Sequence, residues 1–307
     1  MILLANCEAE PGFFHSVTAL KAGTGAVDAL VEGIGHVEAD PAVRSVGYGG
    51  WPNMIGEMEC DAGVMDGTTR EVGAVGAVPR TLPVARLARE VMRRLPHVML
   101  TGAGARRFAD ESGFISDEML HPDSARVWWD KLEGLLDPAQ RAAFPDLPLA
   151  PFSKAITDPE RVRDTTVFLG RDSGGDMAAV TSTSGWAWKY PGRLGDSPIP
   201  GAGFYADSRF GAAACTHTGE MTMRSATAHA VVHAMQLGLD LDQAVEAAAR
   251  DLLTLETGFL GEVVIHAIDA TGRHRVVNLL GRAPVSYWIW TPEMAEPERR
   301  LSEQFQS

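Results

Sequence analysis

The sequence predicts an α+β fold in which β-sheets are covered by helices, and three observations predict it. Strand-like segments fall in adjacent pairs, as in MECDAGVMDGTTREVGAVGAV around Asp66-Gly67 and TTVFLGRDSGGDMAAVTSTSG around Gly174-Gly175. Helix-like segments also come in consecutive pairs, an order that suits sheets with helical covers better than a doubly wound βαβ fold. The 32 glycines cluster in loops such as VGYGG, GAGA and GRLGDSPIPGAG, where positive φ angles and close backbone approach are needed.

The elements follow in order. ILLA at residues 2–5 reads as a short buried strand. PGFFHSVTALKAG and AVDALVEGIGHVEAD carry apolar residues at helical spacing, with Pro11 near a helix start. VGYGGWPNMIG is a glycine-rich loop, and two strands then flank the Asp66-Gly67 turn. PVARLAREVMRRL is an amphipathic helix opened by Pro83, HVMLTG a buried strand, and GARRFADES another helix. Residues 113–164 change character: apart from SARVWWDKLEGLL they lack sustained periodicity, and prolines crowd the stretch between Pro138 and Pro159. This segment is expected to be a linker. Beyond it come the strands TTVFLG and DMAAVTSTSG, strand candidates in FYAD and FGAAACTH, and two helices in EMTMRSATAHAVVHAMQLG and LDQAVEAAARDLL. EVVIHAID, HRVVNLLG and VSYWIWT close the chain in β-structure.

At 307 residues the chain can bury a sizeable core. Its 27 basic and 40 acidic residues leave a formal charge of −13, which argues against nucleic acid or an anionic membrane as partner. The start, MILLANCEAEPGFF, has a four-residue apolar run and no basic lead, so no secretory signal is expected. No segment approaches the ~20 apolar residues of a membrane span. Cys7, Cys60 and Cys215 are odd in number and widely spaced, which fits a reducing, cytoplasmic setting.

The sequence has no GxSxG elbow, Walker loop or HExxH helix. GAGARRF is only part of a dinucleotide fingerprint, with Arg107 where the third glycine is needed. His229 and His233 are spaced to share a metal, but no accompanying carboxylate or cysteine pattern supports that over a half-buried helix face. GRLGDSPIPGAGFYAD is more informative. Arg193 offers a guanidinium fork for an α-carboxylate and Asp196 a carboxylate for an α-ammonium. An ion pair bracing a surface loop accounts for the same two residues. The Asp164-Thr165 junction also has two readings. One is a turn before ordinary strand threonines. The other makes Thr165 a new amino terminus, its hydroxyl a nucleophile and its own α-amine, with a pKa near ~8, the base.

Several stretches, DPAVRSVGYGGWPN, DAGVMDG, VARLAREVMRRLPHVMLTGAGARRFA, DTTVFLGRDSGGDMAAVTSTSG and GRLGDSPIPGAGFYAD, resemble the glycosylasparaginase (aspartylglucosaminidase) branch of the N-terminal-nucleophile (Ntn) hydrolases. Plant-type asparaginases and isoaspartyl peptidases are its relatives. The resemblance runs from about residue 13 to 240 and more loosely to the end. It implies one domain over 1–307, a four-layer αββα sandwich whose precursor cleaves itself between Asp164 and Thr165. The products would be an α-chain, 1–164, with the linker 113–164 ahead of the cut, and a β-chain, 165–307. Thr165 would then attack the side-chain amide of an asparagine derivative, with N4-(β-N-acetylglucosaminyl)-L-asparagine the first substrate to name. Thr183 matches a threonine hydrogen-bonded around the nucleophile. Arg193 and Asp196 match the residues holding the substrate's α-carboxylate and α-amine. Thr216 matches the hydroxyl of the oxyanion hole, whose second donor is the backbone N–H of His217. Thr166, the rival nucleophile, is set aside because Thr165 is the residue that follows the aspartate. No cofactor or metal is implied, and the family suggests a dimer of processed αβ heterodimers.

The chain departs from the family pattern at Arg163, where histidine is usual, and at Val167 and His217, where glycine is usual. Its first strand also lacks the tryptophan that glycosylasparaginases carry near the substrate. Two alternatives follow: an isoaspartyl dipeptidase or L-asparaginase using the same Arg193/Asp196 clamp, and an unprocessed, non-catalytic binding homologue.

Overall fold

The apolar run ILLAN forms β1 (Ile2–Asn6), every residue of it buried. A computed structural model describes the protein over residues 1–114, 119–158 and 165–305. After β1 come α1 (Glu10–Lys21), α2 (Ala26–Ala39), β2 (Glu59–Asp66) and β3 (Val72–Pro79). Next are α3 (Val84–Arg94), β4 (Met99–Thr101), α4 (Gly102–Glu111), α5 (Pro122–Glu133), α6 (Pro138–Ala143) and α7 (Ala150–Ile156). The second half runs β5 (Thr166–Arg171), β6 (Met177–Thr183), β7 (Phe204–Asp207), β8 (Gly211–His217), α8 (Gly219–Ser225), α9 (Thr227–Gln236) and α10 (Leu241–Leu252). It closes with β9 (Val263–Asp269), β10 (His274–Leu279), β11 (Ser286–Trp290), β12 (Glu298–Leu301) and β13 (Glu303–Gln304).

The fold is mixed α and β, with two sheets among the described residues. One has the order β12-β11-β1-β5-β6-β2-β3-β4 and the other β13-β10-β9-β8-β7. Pairing is antiparallel except for β3 with β4 and β10 with β13. Strand periodicity divides the core. In β1, Leu3 and Ala5 join the apolar residues of α1, α2 and α3, while Ile2 and Leu4 join a cluster with β7, β8 and β9. Phe168 and its neighbours Val167 and Leu169 split the same way in β5. In β8, Ala213 and Cys215 pack instead with α9 and α10. A one-residue slip would exchange these faces, so each register is strongly specified.

The register that matters for the site is between β5 and β6. Thr166 faces Ser182 and Val167 faces Thr181, which brings Thr165, one residue before β5, beside Thr183 at the end of β6. Glu38, buried at the end of α2, ties this region to its support. Its oxygens accept the backbone N–H groups of Val84 (2.7 Å) and Ala85 (2.9 Å) and the hydroxyl of Ser182 (2.6 Å). The opening amides of α3 thereby find acceptors they could not find within the helix.

Three expectations change. The described part of the segment read as a linker, 119–158, holds α5, α6 and α7. Leu132, Leu136 and Ile156 pack there with Trp51, Met54, Ala187 and Trp188 in a satellite core. α6 is a six-residue helix with an Asp137/Gln140 capping box, too short to display periodicity. HVMLTG is a three-residue edge strand, half-exposed rather than buried. EMTMRSATAHAVVHAMQLG is two helices, α8 and α9, broken at Ala226, where φ is +46°. The break lets the N–H groups of Ala228 and His229 donate to the carbonyls of Ala202 and Gly201 (3.3 and 2.8 Å), a tertiary contact no helical pattern reveals. β12 and β13 were not foreseen; their exposed residues carry little apolar signal.

Candidate active site

Thr165 sits at the buried head of β5, with its residue 6% exposed. Its Oγ1 lies 3.1 Å from Ser197 Oγ, and the carbonyl of Ser197 accepts the Thr181 hydroxyl at 2.6 Å. Thr183 Oγ1 accepts the N–H of Gly185 (2.9 Å) and donates to the carbonyl of Ser45 (3.3 Å). Both threonines line one small pocket with Trp186, Arg193, Asp196, Ser197 and His217. Five of the six sequence-predicted residues within the described chain therefore share a single cavity. The sixth, Thr216, stands directly behind it, buried, with Oγ1 2.9 Å from His217 Nδ1. Asp164, the expected partner in self-cleavage, and Arg163 lie outside the described residues.

Arg193 and Asp196 come from the loop between β6 and β7 and have different partners. The Arg193 guanidinium clamps Glu220 of α8, with Nη2 at 2.7 and 2.8 Å from its two oxygens and Nε at 3.0 Å. It also lies 4.3 Å over the Trp186 ring. Asp196 accepts the Thr222 hydroxyl at 2.6 Å. Burial raises the Asp196 carboxyl to about 6, against the opposing pull of that hydroxyl and of the Arg193 charge. The pocket is tight enough to demand glycine at 219: a Cβ there would fall 2.8 Å from Asp196 Oδ1.

Thr216 and His217 end β8. His217 has φ +80°, in the left-handed region that glycine enters without strain and a histidine does not. The backbone thus keeps at 217 the conformation that a glycine would have supplied, and adds an imidazole whose side chain is only 6% exposed. Sequence reasoning missed Ser197, Glu220, Thr222 and Glu262. Ser197 was legible as the neighbour of Asp196 in GDSPIPG. The other three belong to elements that only folding brings to the pocket.

The family model described as Asparaginase matches residues 13–278. The chain belongs to the asparaginase family. Among its relatives, a putative N(4)-(beta-N-acetylglucosaminyl)-L-asparaginase of Drosophila sechellia is 34% identical over 293 residues, covering 89% of this chain and 74% of that protein. The N(4)-(Beta-N-acetylglucosaminyl)-L-asparaginase of Elizabethkingia miricola is 35% identical over 236 residues, covering 77% of this chain and 64% of that protein. The one in Mus musculus is 34% identical over 266 residues, covering 82% and 77%. Membership of the asparaginase family carries the reaction class with it, hydrolysis of an amide bond.

The remaining histidine pair of this asparaginase-family chain has a packing role. His229 and His233 stack at 5.3 Å on α9, and His229 meets the Tyr205 ring edge-on at 4.9 Å. No group of three or more His, Cys, Asp or Glu side chains suited to a metal occurs among the described residues.

Proposed function

We propose that the chain is an autoprocessed amidohydrolase that cleaves the β-amide of an asparagine derivative bearing free α-amine and α-carboxylate groups, with N4-(β-N-acetylglucosaminyl)-L-asparagine as first substrate. The observation that carries this reading is one pocket holding the Thr165 hydroxyl, the Arg193 guanidinium and the Asp196 carboxylate. A cation and a carboxylate near one hydroxyl suit an α-amino acid whose side chain is to be attacked. The names of the mouse and Elizabethkingia relatives support the choice of leaving group.

In this reading Thr165 Oγ first attacks the carbonyl carbon of Asp164. The peptide nitrogen leaves as the new α-amine, and water hydrolyses the resulting ester. In the mature enzyme that α-amine takes the hydroxyl proton as Oγ attacks the substrate amide carbon. The oxyanion is met by the Thr216 hydroxyl and the His217 N–H. The amine leaves with the proton from the α-ammonium, and water cleaves the aspartyl ester to release aspartate and free Thr165. Loss of one oxyanion donor typically costs ~10²–10³ in rate.

The architecture of this reading is the four-layer αββα sandwich of Ntn hydrolases. The three-way division of the apolar core among α1–α3, the facing sheets and α8–α10 supports it. A dimer of αβ heterodimers and a cytoplasmic location complete the reading. The latter rests on three cysteines that form no disulfide.

Intact mass under denaturing conditions, followed by a panel of GlcNAc-asparagine, β-aspartyl-leucine and asparagine, tests the whole. Two chains, the smaller starting at Thr165, with turnover of GlcNAc-asparagine, is the expected result. Turnover of only the other two substrates makes the protein an isoaspartyl peptidase or asparaginase. A single chain that stays whole makes it a binding homologue.

A further inference from the structure

The least expected feature of the pocket is the imidazole at 217, and its partners assign it a task. Antiparallel pairing of β8 with β9 sets His217 opposite Val263, so Glu262, the preceding residue, comes alongside the ring. Glu262 Oε2 lies 3.9 Å from His217 Nε2, with its side chain 13% exposed. The other oxygen, Oε1, accepts from Asn278 Nδ2 at 2.7 Å, and Asn278 Nδ2 also donates to the carbonyl of Ala283 at 2.9 Å. The carboxylate is therefore held in place. On the opposite side of the ring, Nδ1 lies 2.9 Å from Thr216 Oγ1. Four side chains form a line: Asn278, Glu262, His217, Thr216.

A carboxylate facing Nε2 favours keeping a proton there in both states of the ring. Nδ1 then decides what the Thr216 hydroxyl does. If the ring is neutral, Nδ1 is an acceptor, and the hydroxyl spends its single proton on it. If the ring is protonated, Nδ1 donates to Thr216 Oγ1, and the hydroxyl proton is released to point elsewhere. We infer that His217 is a positioning residue: as an imidazolium it turns the Thr216 hydroxyl toward the reacting carbonyl oxygen, and as a neutral ring it withdraws that donor. The inference rests on the proposed reaction, in which Thr216 is an oxyanion donor.

The Glu262 carboxylate beside the ring favours the imidazolium. Thr216 on the same strand is neutral, and Glu262 approaches from the lead-in to β9. Arg193 and Asp196 share the pocket wall, and Glu220 of α8 pairs with Arg193. Thr165, at the head of β5, would add an α-amine after cleavage, and Asp164 lies outside the described residues. The positive φ at 217 fits a retained device, since strain of this kind persists where surrounding contacts over-determine it.

The test uses the processed protein, GlcNAc-asparagine and the β-(4-nitroanilide) of aspartate, and the variants His217→Gly and Glu262→Gln. Glycine accepts φ +80° and keeps the backbone N–H, so the first variant removes only the ring. Wild-type kcat should fall about tenfold per pH unit above the imidazole pKa. His217→Gly should lack that alkaline limb, and Glu262→Gln should move it to lower pH. Histidine-¹⁵N spectra of the same protein should show His217 titrating with the limb and carrying its neutral-state proton on Nε2. An unchanged alkaline limb in His217→Gly, or a neutral ring protonated on Nδ1, would overturn the inference. Wild-type protein inert to the whole substrate panel would sink the proposed function instead, while the spectra would still decide where the His217 proton sits.

Discussion

The hydroxyls of Thr165 and Ser197 stand 3.1 Å apart, joining the head of β5 to the loop that carries Arg193 and Asp196. The same loop is held to β6 through the Thr181 hydroxyl on the Ser197 carbonyl. The head of β5 and the end of β6 are thus both fixed to this loop, each by one short link. Thr165→Ala should give an uncleaved chain with no turnover, seen by intact mass. Ser197→Ala removes one neutral hydrogen bond, about 1 kcal/mol, and should lower kcat roughly fivefold while leaving the chain able to cleave.

Arg193 uses a planar fork against Glu220 and a flat face against Trp186. A lysine keeps the charge but neither geometry. Arg193→Lys should raise KM for an α-carboxylate substrate roughly 10- to 100-fold, with a smaller change in kcat. Initial-rate kinetics check it, and an equal loss in kcat alone would contradict a binding role.

In the proposed reaction Asp196 gives the binding step a pH edge. Burial lifts its carboxyl to about 6, so it is ionised above that pH and neutral below it. KM for a substrate with an α-ammonium should therefore rise as pH falls through about 6. Thr222→Val deletes the hydroxyl that favours the ionised form and should move the edge to higher pH. A substrate analogue without the α-amine should show no such edge.

Glu38 is the support behind the site. Glu38→Ala strands the opening amides of α3 and the Ser182 hydroxyl, and should cost about 3 kcal/mol in denaturant unfolding. Burial raises its folded pKa from 4.5 to about 7. The folded state therefore holds the proton more tightly, and this contribution is fully present below 4.5 and lost as pH rises through about 7. The stability gap between wild type and Glu38→Ala should narrow across that window.

Thr165, Thr183, Arg193, Asp196 and His217 were legible in short local stretches, and Ser197 beside Asp196 was passed over. Asp196 and Ser197 are adjacent, Arg193 is three residues away, and Thr165 opens a strand whose partner ends at Thr183. Strand-like runs and hairpin turns also revealed β1 to β3 and β5 to β11, because apolar runs and a period of two survive in the sequence. The helices α6 and α7 were not visible, being shorter than the window in which a helical period shows. Folding alone decided which carboxylate holds Arg193, that α8 ends at Ala226, and that Glu262, itself held by Asn278, meets the ring of His217. Partner choice of this kind depends on strand register and helix docking, contacts between residues far apart in the chain, for which a single sequence has no local signal. By itself the sequence marked which groups carry the chemistry of the site; the tertiary structure decided which neighbours hold them and set His217, at φ +80°, against the wall of the pocket.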